Sequence, residues 1–117
     1  MSSSVQQFIQ TLNDATRLRC LQLLQREGEM CVCEITYALD VIQPKVSRHL
    51  AILKENEIVI DRRSGQWIYY KLNPAMPEWV SKILAATCDG VSNEPRFKAD
   101  RTRLAHMPNR PVNSICA

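Results

Sequence analysis

The sequence has no long apolar run and no signal-peptide pattern. No segment approaches the roughly 20 apolar residues that a membrane-spanning helix needs. The first residues, MSSSVQQF, lack the charged and apolar regions of a secretion signal. We therefore expect a cytoplasmic protein with no membrane-embedded part. Its five cysteines should be reduced thiols there, and an odd number argues against a closed disulfide framework.

Positive charge is concentrated in two parts of the chain. Residues 43–71 carry six basic and three acidic side chains, and residues 92–117 carry five basic and two acidic. Residues 1–42, in contrast, carry three basic and five acidic side chains. A local basic surface suits the phosphate backbone of nucleic acid. Charge alone would equally fit a solvated surface without a ligand.

Apolar spacing predicts three helices in the first part of the chain. Residues 5–12 can form a short amphipathic helix. Asp14 is suited to cap a second helix, which Gly28 ends. A third helix is predicted to begin near residues 30–31 and to run through Leu39.

A fourth helix is predicted after a turn at residues 40–43. Pro44 fits its first turn, where a missing N–H does no harm. The helical spacing directs an apolar set toward the core: Val46, Leu50 and Leu53. It leaves a polar and basic set on the outside or flank: Lys45, Ser47, Arg48 and His49.

After Asn56 the apolar period changes from helical to two. The segment IVIDRRSGQWIYYKL has β-branched and aromatic residues on both sides of Ser64-Gly65, which predicts a β-hairpin. Residues 75–88 predict a last helix, whereas residues 91–117 are polar and show no periodicity. We therefore expect one domain over residues 1–90, for DNA binding and dimerisation, and a flexible polar and basic tail over residues 91–117.

Two helices joined by a short turn and followed by an arginine-rich hairpin predict a winged helix-turn-helix, mainly α with a small β-hairpin. A helix that enters the major groove needs polar or basic groups on one face and an apolar back. The segment QPKVSRHLAIL meets both conditions, and Arg62 and Arg63 could contact phosphate or the minor groove. An ordinary surface helix followed by an ordinary hairpin is the alternative.

Four segments together carry a family resemblance: DATRLRCLQLL, CVCEI, QPKVSRHLAILKENEIV and GQWIYYKL. They resemble the ArsR/SmtB family of metal-sensing bacterial repressors, and most closely its arsenic-responsive branch. The resemblance implies a homodimer, built from the first and last helices, that represses an operator when metal-free. By position it implies groove contacts from Gln43, Lys45, Ser47, Arg48 and His49, and wing contacts from Arg62, Arg63 and Gln66. For His49, a core or phosphate-contacting position is the alternative.

Cys31 and Cys33 form a C-x-C pair at the start of the third predicted helix. Residues two apart in a regular helix differ in direction by about 200°, so we expect the two sulfurs to point to opposite sides. One ion that took both would then unwind the first turn and disfavour the DNA-bound form. Soft thiolates select thiophilic centres, and the resemblance implies trivalent arsenic or antimony as inducer, without an organic cofactor. Two small apolar side chains packed in a helix start are the alternative.

A third ligand for such a centre is not obvious. Many arsenic-responsive relatives have a third cysteine three residues after the second, where this chain has Thr36. Among the other cysteines, Cys116 is the first candidate and Cys88 the second. A two-thiol site completed by water, hydroxide or a small thiol ranks slightly above Cys116, because nothing local replaces the cysteine missing at Thr36. Without a ligand role, Cys116 would be a tail residue and Cys88 an interface or surface thiol. Zinc fits less well, because two sulfurs and no nearby histidine leave half a tetrahedron empty. The carboxylate and imidazole zinc site of some relatives also looks absent, since the last predicted helix offers only Glu78.

Other functions fit the pattern less well. A thiol reductase would favour C-x-x-C near a βαβ unit, which the sequence lacks, and a metallochaperone would not need the basic helix and hairpin. We therefore predict a non-enzymatic repressor that binds double-stranded operator DNA and leaves it when arsenite or antimonite binds Cys31 and Cys33. A thiol-redox or other soft-metal-sensing repressor of the same fold remains the alternative.

Overall fold

The computed structural model describes residues 5–111, which form six helices and three strands. In chain order these are α1 (Val5–Leu12), α2 (Ala15–Glu27), β1 (Met30–Cys31), α3 (Val32–Leu39), α4 (Gln43–Glu55), β2 (Val59–Ser64), β3 (Trp67–Leu72), α5 (Glu78–Val91) and α6 (Pro95–Ala105). The strands form one antiparallel sheet in the order β1-β3-β2. The predicted architecture, mainly α with a small hairpin, is confirmed. Within the described part of the chain, every helix is too short or too polar to span a lipid bilayer.

Helix α2 lies at the centre of the fold and contacts every other helix. As predicted, Asp14 caps it by accepting the N–H of Arg17 at 3.0 Å, and Gly28 ends it with a positive φ of 86°. Cys20 on this helix is fully buried, and burial raises the pKa of its thiol to about 12. Cys20 is therefore a core residue.

Helices α3 and α4 form the helix-turn-helix. Asp40 ends α3 in the left-handed region, with φ 53°, and the chain turns into α4 within three residues. The three core positions predicted for α4 are fully buried: Val46, Leu50 and Leu53. The opposite face of α4 is thereby left free for another molecule.

The hairpin of β2 and β3 follows the predicted pattern. Ser64 pairs with Trp67, and Gly65 takes a φ of 60° in the two-residue turn. A short strand that the sequence pattern does not reveal completes the sheet, because β1 pairs Cys31 with Tyr69. This pairing attaches the start of α3 to the hairpin.

The prediction of a flexible tail from residue 91 is wrong for residues 95–105, which form α6. Glu94 is the N-cap residue, and Pro95 occupies the first turn, where its missing N–H is harmless. Three of the helix's side chains are buried: Phe97, Asp100 and Leu104. The helix packs against α2 and α3, so the folded part extends beyond the predicted boundary at residue 90.

Candidate functional site

The two cysteines meet where β1 ends and α3 begins. Cys31 is the N-cap residue of α3, with an extended backbone of φ −70° and ψ 147°. The thiol of Cys33 lies 2.9 Å from Sγ of Cys31 and donates to it, and the backbone N–H of Cys33 donates to the same sulfur at 3.4 Å. The expectation that the helix holds the sulfurs on opposite sides is wrong, because Cys31 lies outside the helix. One ion can approach both sulfurs while α3 stays intact.

Glu34 completes the N-terminal cap of α3. One carboxylate oxygen, Oε1, accepts the backbone N–H of Cys31 at 2.8 Å. The other, Oε2, accepts Nε of Arg110 at 2.6 Å, although Glu34 is only 1% exposed. Sequence reasoning missed both residues, but C-V-C-E matches a capping box in which sulfur replaces the hydroxyl oxygen.

Cys33 carries a proton at neutral pH. Burial, together with the hydrogen bond to the sulfur of Cys31, raises the pKa of Cys33 to about 12. A metal bound through sulfur requires the thiolate, so a divalent ion that binds this thiol must displace its proton.

The described residues supply no third protein ligand. Between residues 5 and 111, no three or more side chains of His, Cys, Asp and Glu form a group that could hold a metal ion. Cys88 is buried in the core on α5, where burial raises the pKa of its thiol to about 11. The structure therefore does not bring Cys88 to the pair, and Cys116 lies outside the described residues.

A cleft of about 320 Å³ opens beside the cysteine pair. Its walls include both cysteines, the first turns of α4 and the tip of the hairpin: Cys31, Cys33, Gln43, Ser47, Gln66 and Trp67. Three of the side chains predicted to contact DNA thus share one cavity with the thiols. The order of the sheet explains this arrangement, since β1 places Cys31 directly beside β3 and Cys33 follows in the first turn of α3.

Most of the predicted DNA-contacting side chains are accessible. Five of them are exposed on α4 or at the hairpin tip: Gln43, Lys45, Arg48, Arg63 and Gln66. Ser47 is half-buried at the wall of the cleft. These residues form a polar and basic surface that joins α4 to the hairpin.

The placement of His49 on the outer face or flank of α4 is wrong. His49 is 6% exposed, and its side chain lies between α4 and the start of α2, with Nδ1 3.2 Å from Nη1 of Arg17 and 3.8 Å from Oδ1 of Asp14. Burial lowers the pKa of His49, and neighbouring cations oppose the effect of Asp14. The alternative of a core position describes this residue.

Arg62 is half-buried and already paired with protein groups. Its guanidinium donates two hydrogen bonds to Glu29, at 2.8 and 2.7 Å, and lies 4.7 Å from the ring centroid of Tyr69. The hydrogen bond from Arg62 lowers the pKa of Glu29. This pair ties the hairpin to the residue before β1, whereas the neighbouring Arg63 is exposed.

Comparison with known proteins identifies bacterial transcriptional regulators as relatives. Residues 14–61 match the family described as bacterial regulatory protein, arsR family. The chain is 50% identical to the arsenic resistance transcriptional regulator ArsR1 of Pseudomonas putida. The match extends over 107 residues, which are 91% of this chain and 82% of that protein. It is 47% identical over 78 residues to the arsenical resistance operon repressor of Escherichia coli, covering 67% of each. Among solved structures, the antimony-specific transcriptional repressor AntR matches with a TM-score of 0.64 and 27% identity, over 75% of this chain and 77% of that one.

Proposed function

Since the chain belongs to the arsR family of bacterial regulatory proteins, we propose that it represses an operator and leaves it when trivalent arsenic or antimony binds Cys31 and Cys33. The named relatives are transcriptional regulators, so the protein is a regulator and not an enzyme. Arsenic resistance in two relatives and antimony specificity in the solved neighbour support this class of inducer. The repressor would work in the cytoplasm, where its operator is.

The observation that carries the proposal is the shared cleft. The sulfurs of Cys31 and Cys33 lie 2.9 Å apart in a cavity that Gln43, Ser47 and Gln66 also line. A metalloid on the sulfurs would fill space between α4 and the hairpin tip, the surface proposed to face the groove. Ligand and operator would then favour different states of one cleft, which is what coupling between two binding sites requires.

The binding step is a ligand exchange in which the metalloid keeps its oxidation state. Arsenous acid is neutral, and each thiol that replaces a hydroxide on arsenic releases one water molecule. Two exchanges join the arsenic to Cys31 and Cys33 and leave one hydroxide in place. A small thiol or Cys116 would replace that hydroxide in a third exchange.

Cys116 remains a candidate for the third ligand because of its distance along the chain from Arg110. It follows Arg110 by six residues, a length that spans at most about 20 Å. The guanidinium of Arg110 is bonded to Glu34, which is bonded to the backbone of Cys31. The chain therefore passes close enough to the pair for Cys116 to reach it.

Operator binding is assigned to the exposed polar and basic surface of α4 and the hairpin. Lys45, Arg48 and Arg63 supply positive charge for phosphate or base contacts. The homodimer is assigned to α1 and α5, where large apolar side chains are exposed, among them Ile9 at 52% and Trp79 at 37%. Two such faces packed together would remove this apolar surface from water.

A thiol-redox repressor is the second candidate, because the two sulfurs are close together. Metalloid sensing is placed first, because two relatives are named as regulators of arsenic resistance and the solved neighbour as an antimony-specific repressor.

The test is operator binding, followed by fluorescence anisotropy, with arsenite, antimonite or peroxide added. Arsenite or antimonite should release the wild-type protein at concentrations where Cys33→Ser stays bound. Metal-free operator affinity should be the same in both, and Cys88→Ala serves as the control for a cysteine outside the site. Release of Cys33→Ser at the wild-type concentration would remove the pair from the sensor. Release by peroxide alone would select the redox repressor.

X-ray absorption on the arsenite-bound protein counts the sulfur neighbours of arsenic. A count of three that falls to two in Cys116→Ser would identify the third ligand. An unchanged count of two would assign the third position to hydroxide, and an unchanged count of three would assign it to another thiol.

A further inference from the structure

Helix α3 is held at its C-terminal end by side chains that α6 supplies or positions. The helix has eight residues, and isolated helices this short are unstable in water. The carbonyl of Ala38 accepts Nε of Arg103 at 3.0 Å, and that of Leu39 accepts Nη2 of Arg19 at 2.7 Å. Arg19 is in turn paired with Asp100 of α6. These cations satisfy carbonyls that the end of a helix leaves unpaired.

Beyond α6, the chain also holds the N-terminal end of α3, through Arg110. This side chain donates Nε to Glu34 at 2.6 Å and Nη2 to Glu27 at 2.7 Å. Glu34 is 1% exposed, and a carboxylate buried to this degree requires a charged or hydrogen-bonded partner for each oxygen. Arg110 supplies the partner of Oε2, while the N–H of Cys31 supplies that of Oε1.

We propose that Arg110 is a positioning residue of the cysteine site. By holding Glu34, it fixes Cys31 in the extended backbone conformation that brings the two sulfurs together. The inference rests on the proposed function, because it concerns how the pair is prepared for the metalloid. Without Arg110, the carboxylate of Glu34 would turn toward water and release the N–H of Cys31. Other backbone conformations would then become available to Cys31, and in many of them the sulfurs diverge.

The contact between Arg110 and Glu34 should affect metalloid binding and leave the polar and basic surface of α4 and the hairpin unchanged. Arg110 lies on the side of α3 that faces α2 and the C-terminal segment, since its second partner is Glu27 at the end of α2. The lining of the cysteine cleft does not include Arg110. Its loss should therefore change the arsenite affinity of the protein while the operator affinity of the metal-free form stays level.

The test compares Arg110→Ala with Arg110→Lys and with the matched control Arg96→Ala, which removes an exposed arginine of α6. Arsenite affinity is measured on the full-length protein by titrating the ultraviolet absorption of the arsenic–sulfur bond, and metal-free operator affinity by anisotropy. Arg110→Ala should weaken arsenite binding about tenfold, as the loss of an outer partner of a metal ligand does. Its operator affinity should match that of Arg96→Ala. Arg110→Lys keeps a charge beside Glu34 without the forked bridge to Glu27, so it should recover most of the affinity.

Three outcomes would overturn the inference. Wild-type arsenite affinity in Arg110→Ala would show that the sulfurs do not need the contact. Equal losses of arsenite and operator affinity, without recovery in Arg110→Lys, would show a general role in folding. Failure of the wild-type protein to bind arsenite or antimonite would instead overturn the proposed function, and the inference with it.

A second variant covers the case in which Arg110→Ala does not fold. Glu34→Gln keeps an acceptor for the N–H of Cys31 but removes the negative charge that Arg110 binds. It should weaken arsenite binding in the same direction and by a smaller factor. Unchanged arsenite affinity in folded Glu34→Gln would also overturn the inference.

Discussion

Replacing Asp100 with alanine should lower the free energy of unfolding by about 3 kcal/mol, because it leaves a buried guanidinium without its charge partner. Asp100 is fully buried and accepts Nε and Nη2 of Arg19 at 2.7 and 2.8 Å. Breaking a buried ion pair by removing one partner costs about 3–5 kcal/mol. The lower end applies here, since Arg19 is 9% exposed and keeps its hydrogen bond to the carbonyl of Leu39.

Equilibrium unfolding in urea, followed by far-ultraviolet circular dichroism, measures this loss. With a slope of about 2 kcal/mol per molar urea, the midpoint should fall by about 1.5 M. Protein concentration is kept fixed, because association of two chains would itself stabilise the folded state. The control is Asp89→Ala, the same chemical change at an exposed residue of α5, which should cost less than about 0.5 kcal/mol.

The result that would refute this reasoning is a loss in Asp100→Ala no larger than that in Asp89→Ala. Replacing both members of the pair, as Arg19→Met with Asp100→Leu, should recover much of the lost stability, because no buried charge is then left alone. If the double variant is less stable than Asp100→Ala, the other hydrogen bond of Arg19 outweighs the pair.

Three further predictions concern the cysteine pair and the polar and basic surface that joins α4 to the hairpin. Because Cys33 stays protonated below its pKa of about 12, cadmium affinity should rise at least about tenfold per pH unit from pH 6 to 8. Arsenite affinity should stay nearly level in competition titrations, since its exchange releases water, and an equally steep rise would contradict that chemistry. Arg48→Ala should weaken operator binding. If a base contact is lost, the cost is about 1–3 kcal/mol; if a phosphate contact is lost, the slope of log affinity against log salt concentration falls by about one. His49→Ala should instead mainly lower the urea midpoint of unfolding. Arg63→Ala should lower the salt dependence of operator affinity. Arg62→Ala should instead destabilise the hairpin, measured as faster hydrogen exchange of its backbone amides. Identical effects of the two variants would contradict the difference between the paired Arg62 and the exposed Arg63.

The elements that were predictable from the sequence are those whose signal is local. The core face of α4 follows from the helical repeat, and the hairpin turn follows from Gly65 between alternating strands. The missed helix α6 directs Asp100 into the core between Phe97 and Leu104. A hydrophobicity pattern assigns an aspartate to the solvent-facing side of a helix. The partner that allows Asp100 to be buried, Arg19, lies 81 positions away in the chain, so no local pattern reveals it.

The geometry of the cysteine pair was unpredictable for a related reason. The direction of the sulfurs depends on whether α3 begins before or after Cys31, a difference of one or two residues. That boundary is set by the pairing of Cys31 with Tyr69 and by the contacts of Glu34 with Cys31 and Arg110. Two of these partners lie far away in the sequence. The sequence pattern singled out the cysteine pair, but the conformation that brings its two sulfurs together could not be predicted from it.

Cys31 occupies a position at which serine, threonine, aspartate or asparagine is the preferred residue. Sulfur is a weak hydrogen-bond acceptor, and its distance of 3.4 Å to the backbone nitrogen of Cys33 is longer than that of an N–H···O bond to a capping oxygen. A serine at this position would be a better N-cap and would stabilise the first turn of α3. Cys31→Ser would therefore give a more stable fold and, under the proposed function, a repressor that keeps its operator affinity but does not respond to the inducer.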